Sequence, residues 1–175
     1  GLGSTFFQIA ENIRRGRTPA DAQANPETFY RRAADVLTEA IDRYPLYPND
    51  PRGIRPDESP EDYEDIRVRS FVALYQLGVC NIELKYEDRA QRCFAALINE
   101  RQFDEEFIAR EEQFRPRIRT MHEQSFLLLG LSYYRSGKSD EALQAFTQAH
   151  DRLKNADTPY AIHMMGECHL KMGRL

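Results

Sequence analysis

The sequence places the same pattern of small and large residues around two glycines, Gly78 and Gly130, which lie 52 positions apart. Each glycine follows a leucine, and an alanine and a phenylalanine come 12 and 16 positions after it. The residues at these spacings are Leu77, Ala90 and Phe94 in one copy and Leu129, Ala142 and Phe146 in the other. The recurrence constrains the fold more than composition does, because each copy predicts a pair of helices that stacks on its neighbours.

Less complete copies of this pattern lie at both ends of the sequence. Gly166 follows Gly130 by 36 positions, with Ile162 and His169 in step, and a weaker copy with a longer loop opens the chain. A lone first helix needs a cover, so we expect either that the native protein continues beyond Leu175 or that this helix packs on another molecule. The predicted copies are about 3–45, 60–98, 121–154 and a half repeat at 159–175, with insertions at about 46–59 and 99–120.

Gly130 interrupts an otherwise favourable helical stretch, where an alanine would favour the helix by about 1 kcal/mol. Since the glycine recurs at Gly78 with the same neighbours, we interpret it as a packing site. The missing side chain lets the paired helix approach closely. Phe126 and Phe146 are expected to fill the seam around this contact, and burying them offsets the lost helix propensity at roughly 25 cal/mol per Å².

This pattern resembles the tetratricopeptide repeat, whose unit is a helix–turn–helix of about 34 residues. The residues that carry the resemblance are the small residues Gly78 and Gly130, the second-helix pairs Ala90 with Phe94 and Ala142 with Phe146, and the terminating Pro45. The chain departs from the family in having no tryptophan and in its longer spacings. The resemblance implies an all-α fold, a right-handed α-α superhelix of about three and a half hairpins, in one domain over 1–175.

The two insertions differ in character. The first, "LYPNDPRGIRPDESP", is rich in proline and charge and predicts a loop, followed by a helix from Pro60 to about Lys85 with Ser59 as its N-cap. The second predicts an extra helix that Pro116 stops. Its apolar residues, expected on one face, are Phe103, Phe107, Ile108 and Phe114. The nearby arginines Arg115, Arg117 and Arg119 are expected to form surface ion pairs with Glu111 and Glu112.

The sequence contains no recognisable catalytic or metal-binding signature, so we predict no enzyme activity and no cofactor. "MHEQSF" supplies His122 and Glu123 without the second histidine of a zinc protease motif. His163 and His169 are six positions apart and fall on different sides of a helix. The cysteines form no C-x-x-C pair, and Cys80 and Cys93 are expected to be small buried thiols.

Composition excludes two kinds of partner. The net charge of -4 and a pI near 5.6 argue against nucleic acid, whose phosphates attract basic surfaces. The longest uncharged runs, such as Ser70–Ile82, are far shorter than the about 20 apolar residues of a membrane-spanning helix. We therefore expect the partner to be another protein or a peptide, and a second copy of this chain, bound through the half repeat, is one such partner.

The resemblance also implies where a partner would bind, because first helices line the concave side of tetratricopeptide arrays. The corresponding residues are Phe7, Glu11, Arg14, Tyr75, Val79, Ile82, Leu127, Leu131, Tyr134, His163 and Glu167. The middle of this set is apolar and aromatic, which suits a partner helix or extended peptide. An alternative remains open, that the inserted phenylalanines pack over these residues. The positions that form the carboxylate trap of chaperone-binding members carry mostly apolar groups here, with Arg14 and Lys171 isolated, so that binding mode is not expected.

The sequence leaves the function open between three classes. The first is a protein-interaction or assembly scaffold, the second a helical module that binds a small molecule or lipid under the insertions, and the third a spacer within a longer array. The stretch "IDRYPLYPND" together with the third copy resembles tetratricopeptide proteins of bacterial cell envelopes, including lipoproteins that help assemble outer-membrane proteins. That resemblance implies an envelope location, whereas the unpaired cysteines favour a reducing compartment such as the cytoplasm.

Overall fold

The computed structural model describes residues 1–17, 25–43, 60–99, 103–153 and 158–174, and these residues form helices without any strand. The helices are α1 (Leu2–Arg14), α2 (Pro26–Arg43), α3 (Pro60–Glu83), α4 (Glu87–Asn99), α5 (Glu105–Phe114), α6 (Arg117–Arg135), α7 (Ser139–Arg152) and α8 (Thr158–Lys171). The predicted all-α fold class is confirmed, and so is the long helix that begins at Pro60. The predicted loop at 46–59, with its N-cap Ser59, lies outside the described residues.

The chain divides into two compact units, Gly1–Tyr86 and Glu87–Leu175. Each unit is described by itself below. The predicted repeat boundaries, and the single domain over 1–175, stay predictions.

In the first unit, α1 and α2 pack as an antiparallel pair. Gly3 near the start of α1 lies against Leu37, and Phe7 further along α1 lies against Tyr30, nearer the start of α2. A side chain at Gly3 would place its Cβ 2.9 Å from Cγ of Leu37, so the glycine permits close packing at this end of the pair. Ala10 is fully buried, as an apolar stripe of period 3.6 predicts for the inner side of a helix. Helix α2 also packs on α3.

In the second unit, α4, α6, α7 and α8 pack one on the next, and α5 packs on α6. A Cβ at Gly130 would lie 2.7 Å from ring carbons of Phe146. Since real Cβ contacts are almost never this short, the glycine is what lets the Phe146 ring sit against the α6 backbone. The packing role predicted for Gly130 is confirmed. Phe94 and Phe146 are fully buried, and the thiols of Cys93 and Cys168 are buried, as is that of Cys80 in the first unit.

The second insertion forms α5, as predicted, and the helix ends before Pro116. The Asp104 carboxylate accepts a hydrogen bond from the backbone N–H of Phe107 at 2.9 Å and caps the helix. Phe103 and Phe107 are buried, but Phe114 is 74% exposed and does not pack with them, so the open alternative in which the inserted phenylalanines pack together does not hold for Phe114. Phe114 is the last residue of α5, and the chain turns directly afterwards into α6. The apolar stripe of α5 therefore continues to Phe114, which is left exposed.

The arginines that follow α5 do form ion pairs. Arg115 lies 2.5 Å from Glu111 and Arg119 lies 2.5 Å from Glu112. Glu111 is only 4% exposed and also contacts Arg110, so the Arg115 pair holds a buried carboxylate. The predicted ion pairing is confirmed for Arg115 and Arg119.

Candidate partner-binding surface

In the second unit, α6 carries three of the predicted partner-binding residues on one side: Leu127, Leu131 and Tyr134. Their spacing of four and three positions aligns them along the helix. Each is half-buried and packs against the core cluster that contains Phe146 and Met164. Their outer parts therefore form an apolar strip supported from beneath by a rigid core. On α8, the predicted residue His163 is exposed.

Tyr134 links this strip to α8 through polar contacts. Lys171 places Nζ 4.0 Å from the centre of the Tyr134 ring and donates a hydrogen bond to the Tyr134 carbonyl oxygen at 3.2 Å. The Tyr134 hydroxyl donates to Glu167 at 3.4 Å. Burial and the nearby Glu167 carboxylate raise the pKa of Tyr134, so its hydroxyl stays protonated at neutral pH. The strip is thus bordered by one cation and one carboxylate.

In the first unit, two predicted binding residues are engaged in internal contacts. Phe7 packs edge-on against Tyr30, with ring centroids 6.4 Å apart. Arg14 lies 3.2 Å from Glu11 and 3.7 Å from Glu83. These contacts hold α1 against α2 and α3.

The other predicted residues of the first unit lie on α3 and differ in exposure. Tyr75 and Val79 are half-buried, whereas Ile82 is only 5% exposed. The Ile82 side chain is therefore not part of an accessible surface in this structure. Periodicity assigned it to the same stripe as Tyr75 and Val79 but carried no information on what covers the end of α3.

Glu11, which the resemblance placed on the binding face, lies instead in a buried polar cluster. Its carboxylate accepts hydrogen bonds from the Tyr30 hydroxyl at 2.6 Å, from Arg15 at 2.8 Å and from Arg14 at 3.2 Å. Burial opposes ionisation of Glu11, but the bonds from Tyr30 and Arg14 outweigh it and hold its pKa below the ordinary value. Burial and Glu11 in turn raise the pKa of Tyr30. The hydrogen bond between Tyr30 and Glu11 in this cluster joins α2 to α1.

A cleft of about 690 Å³ opens in the second unit beside the insertion. Its lining combines apolar, polar and acidic side chains with one arginine: Ile98, Asn99, Phe103, Asp104, Glu105, His122, Phe126, Gln148, Asp151 and Arg152. Arg152 stacks over the Phe126 ring at 4.6 Å and pairs with Glu105 across the opening. The cleft therefore combines an aromatic wall with an arginine that is already paired to a carboxylate, and two further carboxylates, Asp104 and Asp151, also line it.

His122 is the buried titratable group of this cleft. Its side chain is 4% exposed, and its ring meets Phe126 edge-on at 5.4 Å. Burial lowers the pKa of His122 to about 4, with Glu105 opposing the shift and Arg152 and Arg119 adding to it, so the ring is neutral at pH 7. Sequence reasoning considered His122 only as half of a metal motif. Its position four residues before Phe126, on the same helical stripe, was the signal for burial.

Comparison with known proteins identifies one segment of the chain. Residues 124–153, which include most of α6 and all of α7, match the tetratricopeptide repeat family model. The match includes Gly130, Ala142 and Phe146, three of the positions that carry the resemblance. No curated protein and no solved structure matches the chain.

Among the described residues, no helix combines the length and apolar character needed to cross a membrane. The same residues hold no group of three or more histidine, cysteine or acidic side chains arranged to bind a metal ion. A tetratricopeptide repeat suggests a protein–protein interaction module, and members of the family are typically non-catalytic scaffolds.

Proposed function

We propose that the chain is a protein-interaction or assembly scaffold that binds a partner helix or extended peptide on the strip formed by Leu127, Leu131 and Tyr134. The observation that carries the proposal is the half-burial of these three residues along one side of α6, inside the segment that matches the tetratricopeptide repeat. Half-buried apolar side chains over a packed core provide contact area without needing to be ordered on binding.

The border of the strip defines the chemistry of the partner. Apolar anchors of a partner would cover Leu127 and Leu131, in the manner of an amphipathic helix in a groove. Lys171 and Glu167 flank the Tyr134 ring, so polar partner side chains of either sign find a counter-charge at this end. In the first unit, Tyr75 and Val79 are half-buried and remain candidates for the same role.

The test is capture of a partner followed by measurement of its affinity. Partners retained by the chain from a native lysate would be identified, and the isolated partner titrated against parent and variant chains. Leu131→Asp places a charge on the strip and should weaken binding by about tenfold or more, and Tyr134→Ala should do the same by removing an aromatic contact.

Leu143→Asp is the matched control, because Leu143 on α7 is also half-buried and packs against the same core cluster. Any loss that comes from weakening that core is shared by the two aspartate variants. The proposed strip would be contradicted if Leu131→Asp and Leu143→Asp bound the partner with equal affinity. It would also be contradicted if either Leu131→Asp or Tyr134→Ala kept the affinity of the parent chain.

A second candidate function, binding of a small molecule, rests on the cleft beside α5. Its volume of about 690 Å³ falls within the roughly 300–1,000 Å³ of known ligand sites. Thermal-shift screening against small metabolites tests it, since a ligand raises the melting temperature by mass action. An increase that disappears in Arg152→Ala but persists in Leu131→Asp would place the ligand in the cleft.

The resemblance to bacterial envelope lipoproteins stays a prediction.

A further inference from the structure

The cleft in the second unit has a buried floor and an exposed rim. Phe103, His122 and Phe126 line the floor and are buried. The charged and polar residues of the rim are exposed: Asp104, Glu105, Gln148, Asp151 and Arg152. A ligand in the cleft would therefore meet aromatic and apolar surface at depth and polar groups at the opening.

The charges of the cleft do not balance. Among the described residues that line it, Arg152 is the single cationic side chain, and Glu105 is paired with it. His122 adds no positive charge at pH 7, because burial lowers its pKa to about 4. Asp104 and Asp151 remain, so the described lining carries three carboxylates against one guanidinium group.

Asp104 and Asp151 each engage one carboxylate oxygen. Oδ1 of Asp104 accepts the hydrogen bond from the backbone N–H of Phe107 at 2.9 Å, and Oδ1 of Asp151 lies 3.2 Å from Nδ1 of His150. Within the described part of the chain, the second oxygen of each carboxylate has no hydrogen-bond or ion-pair partner. A ligand that donates hydrogen bonds would find two available acceptors.

The lining suits an organic cation better than a metal ion or an anion. The described residues hold no group of three or more side chains arranged for a metal, and Ca²⁺ or Mg²⁺ needs several oxygens converging on one point. An anion would meet two unneutralised carboxylates and an arginine that is already paired. An ammonium group donates up to three hydrogen bonds, and an attached carbon chain can lie against the apolar floor.

We infer that the cleft binds a small aliphatic amine, with its carbon chain over Ile98, Phe103 and Phe126 and its ammonium group donating to Asp104 and Asp151. The lysine side chain of a partner protein carries the same group, so both sources share this chemistry. The inference rests on the second candidate function, that of the cleft, and names the class of its ligand. It does not depend on the strip of α6.

The test is an NMR titration of the full chain with cadaverine, a five-carbon diamine. Saturable shifts are expected at the amides of Asp104 and Asp151. The five-carbon diol, which matches the length without the charge, should bind about tenfold more weakly or worse, because hydrogen bonds to charged groups are the stronger ones. A second titration uses a blocked tripeptide with lysine between two glycines. Tighter binding of cadaverine indicates a free amine, and tighter binding of the tripeptide indicates a protein side chain.

The chain variants remove one carboxylate at a time. Asp104→Asn and Asp151→Asn should each weaken cadaverine binding about threefold or more, as expected for exposed ion pairs. Asparagine also caps helices, so Asp104→Asn should keep α5 folded, and the spectrum of the variant verifies this. Asp140→Asn is the matched control, since Asp140 is 69% exposed on α7, outside the cleft lining, and the change in net charge is the same. It should bind cadaverine as the parent does.

Three outcomes would overturn the inference. They are equal affinity for the diamine and the diol, the same affinity in all three asparagine variants, and the absence of saturable binding by both amine probes. Arg152→Ala removes the cation of the cleft and should keep or raise the affinity for cadaverine.

A ligand of another class that Arg152→Ala abolishes would retain the cleft as a site but contradict the amine. Leu131→Asp should keep the parent affinity for cadaverine, so failure of the strip and failure of the amine site are also distinguishable.

Discussion

The α1–α2 pair and the α6–α7 pair are both antiparallel, but different chemistry closes them. In α6–α7, the Phe146 ring lies against the bare backbone at Gly130. In α1–α2, the glycine contact is Gly3 against Leu37 at one end, and a buried carboxylate at Glu11 holds the other end. One pair relies on shape and apolar area, and the other adds directional polar bonds.

This difference accounts for the weakness of the pattern that predicted a first copy of the repeat. An aromatic ring over a glycine requires two particular residue types at fixed positions, so it leaves a recognisable pattern. A polar cluster such as Glu11 with Tyr30 and Arg15 can be built from many residue combinations, provided that every group is paired. The α1–α2 pair therefore lacks the pattern of the α6–α7 pair, although its two helices also pack antiparallel. The following predictions test this contrast, beginning with the largest effect.

Phe146→Ala should produce the largest loss of stability. Removing a fully buried phenylalanine leaves a cavity over Gly130 and costs about 3–5 kcal/mol. Hydrogen exchange of the α6 and α7 amides measures the free energy of opening in this unit. Thr147→Ala, at the exposed neighbouring position, should change it by less than about 0.5 kcal/mol. A loss below about 1 kcal/mol for Phe146→Ala would mean that the ring is not the element that closes the α6–α7 pair.

Acid should weaken the second unit through His122. The pKa of His122 is lowered from its ordinary 6.5 to about 4 by burial, so the unfolded state binds more protons between these values. Stability is then complete above pH 6.5, falls as the pH drops toward about 4 and levels off below that, with a total loss of up to roughly 3 kcal/mol. The groups around the ring are Glu105, Arg119 and Arg152. Melting temperatures from pH 8 to pH 3.5 measure the slope.

His122→Phe should flatten that profile, because the replacement ring cannot be protonated. His163→Gln is the control, since His163 is exposed, and it should keep the slope of the parent. The same slope in all three proteins would show that the acid sensitivity arises elsewhere in the chain.

Much of the α6–α7 arrangement was predictable from sequence, because the residues that meet belong to one local hairpin with helical spacing. The contact between Gly130 and Phe146 joins positions only 16 apart. The side-chain environments of Ile82 and Phe114 were not predictable in this way. Periodicity assigns a residue to a side of its helix, but exposure depends on which other element covers that side.

The polar clusters were the least predictable part. Glu11 meets Tyr30, 19 positions away in sequence, and no spacing rule connects them. The spacing of Leu127, Leu131 and Tyr134 predicted that they share one side of α6, as they do, whereas their role in binding a partner stays a prediction.

Glu11→Gln should weaken the α1–α2 pair by about 1–2 kcal/mol, because the amide cannot accept charged hydrogen bonds as the carboxylate does and leaves the Tyr30 and arginine donors poorly paired. The pKa of Glu11 is held below its ordinary 4.5. Its stabilising contribution is therefore present above that pH and is lost as the pH falls through the lowered value. Hydrogen exchange of α1 and α2 amides measures both effects.

Glu27→Gln is the control for Glu11→Gln in the same unit. Glu27 pairs with Arg31, but both side chains are more than half exposed, and such pairs contribute about 0–1 kcal/mol. If the two variants had equal effects, burial would add nothing to the Glu11 cluster, and the contrast between the two helical pairs would fail.

The smallest effects come from alanine at the two glycines, and they should have opposite signs. Gly166→Ala should stabilise the chain by roughly 1 kcal/mol or less, because it improves helix propensity and the added Cβ meets nothing within 4 Å. Gly130→Ala gains the same propensity but forces the Phe146 ring to move, at a cost of about 1–3 kcal/mol, so its net effect is a loss. Thermal unfolding of both variants in one buffer measures the difference. Stabilisation by both would mean that the Phe146 ring shifts without penalty, and α6 would then need no glycine to accept α7.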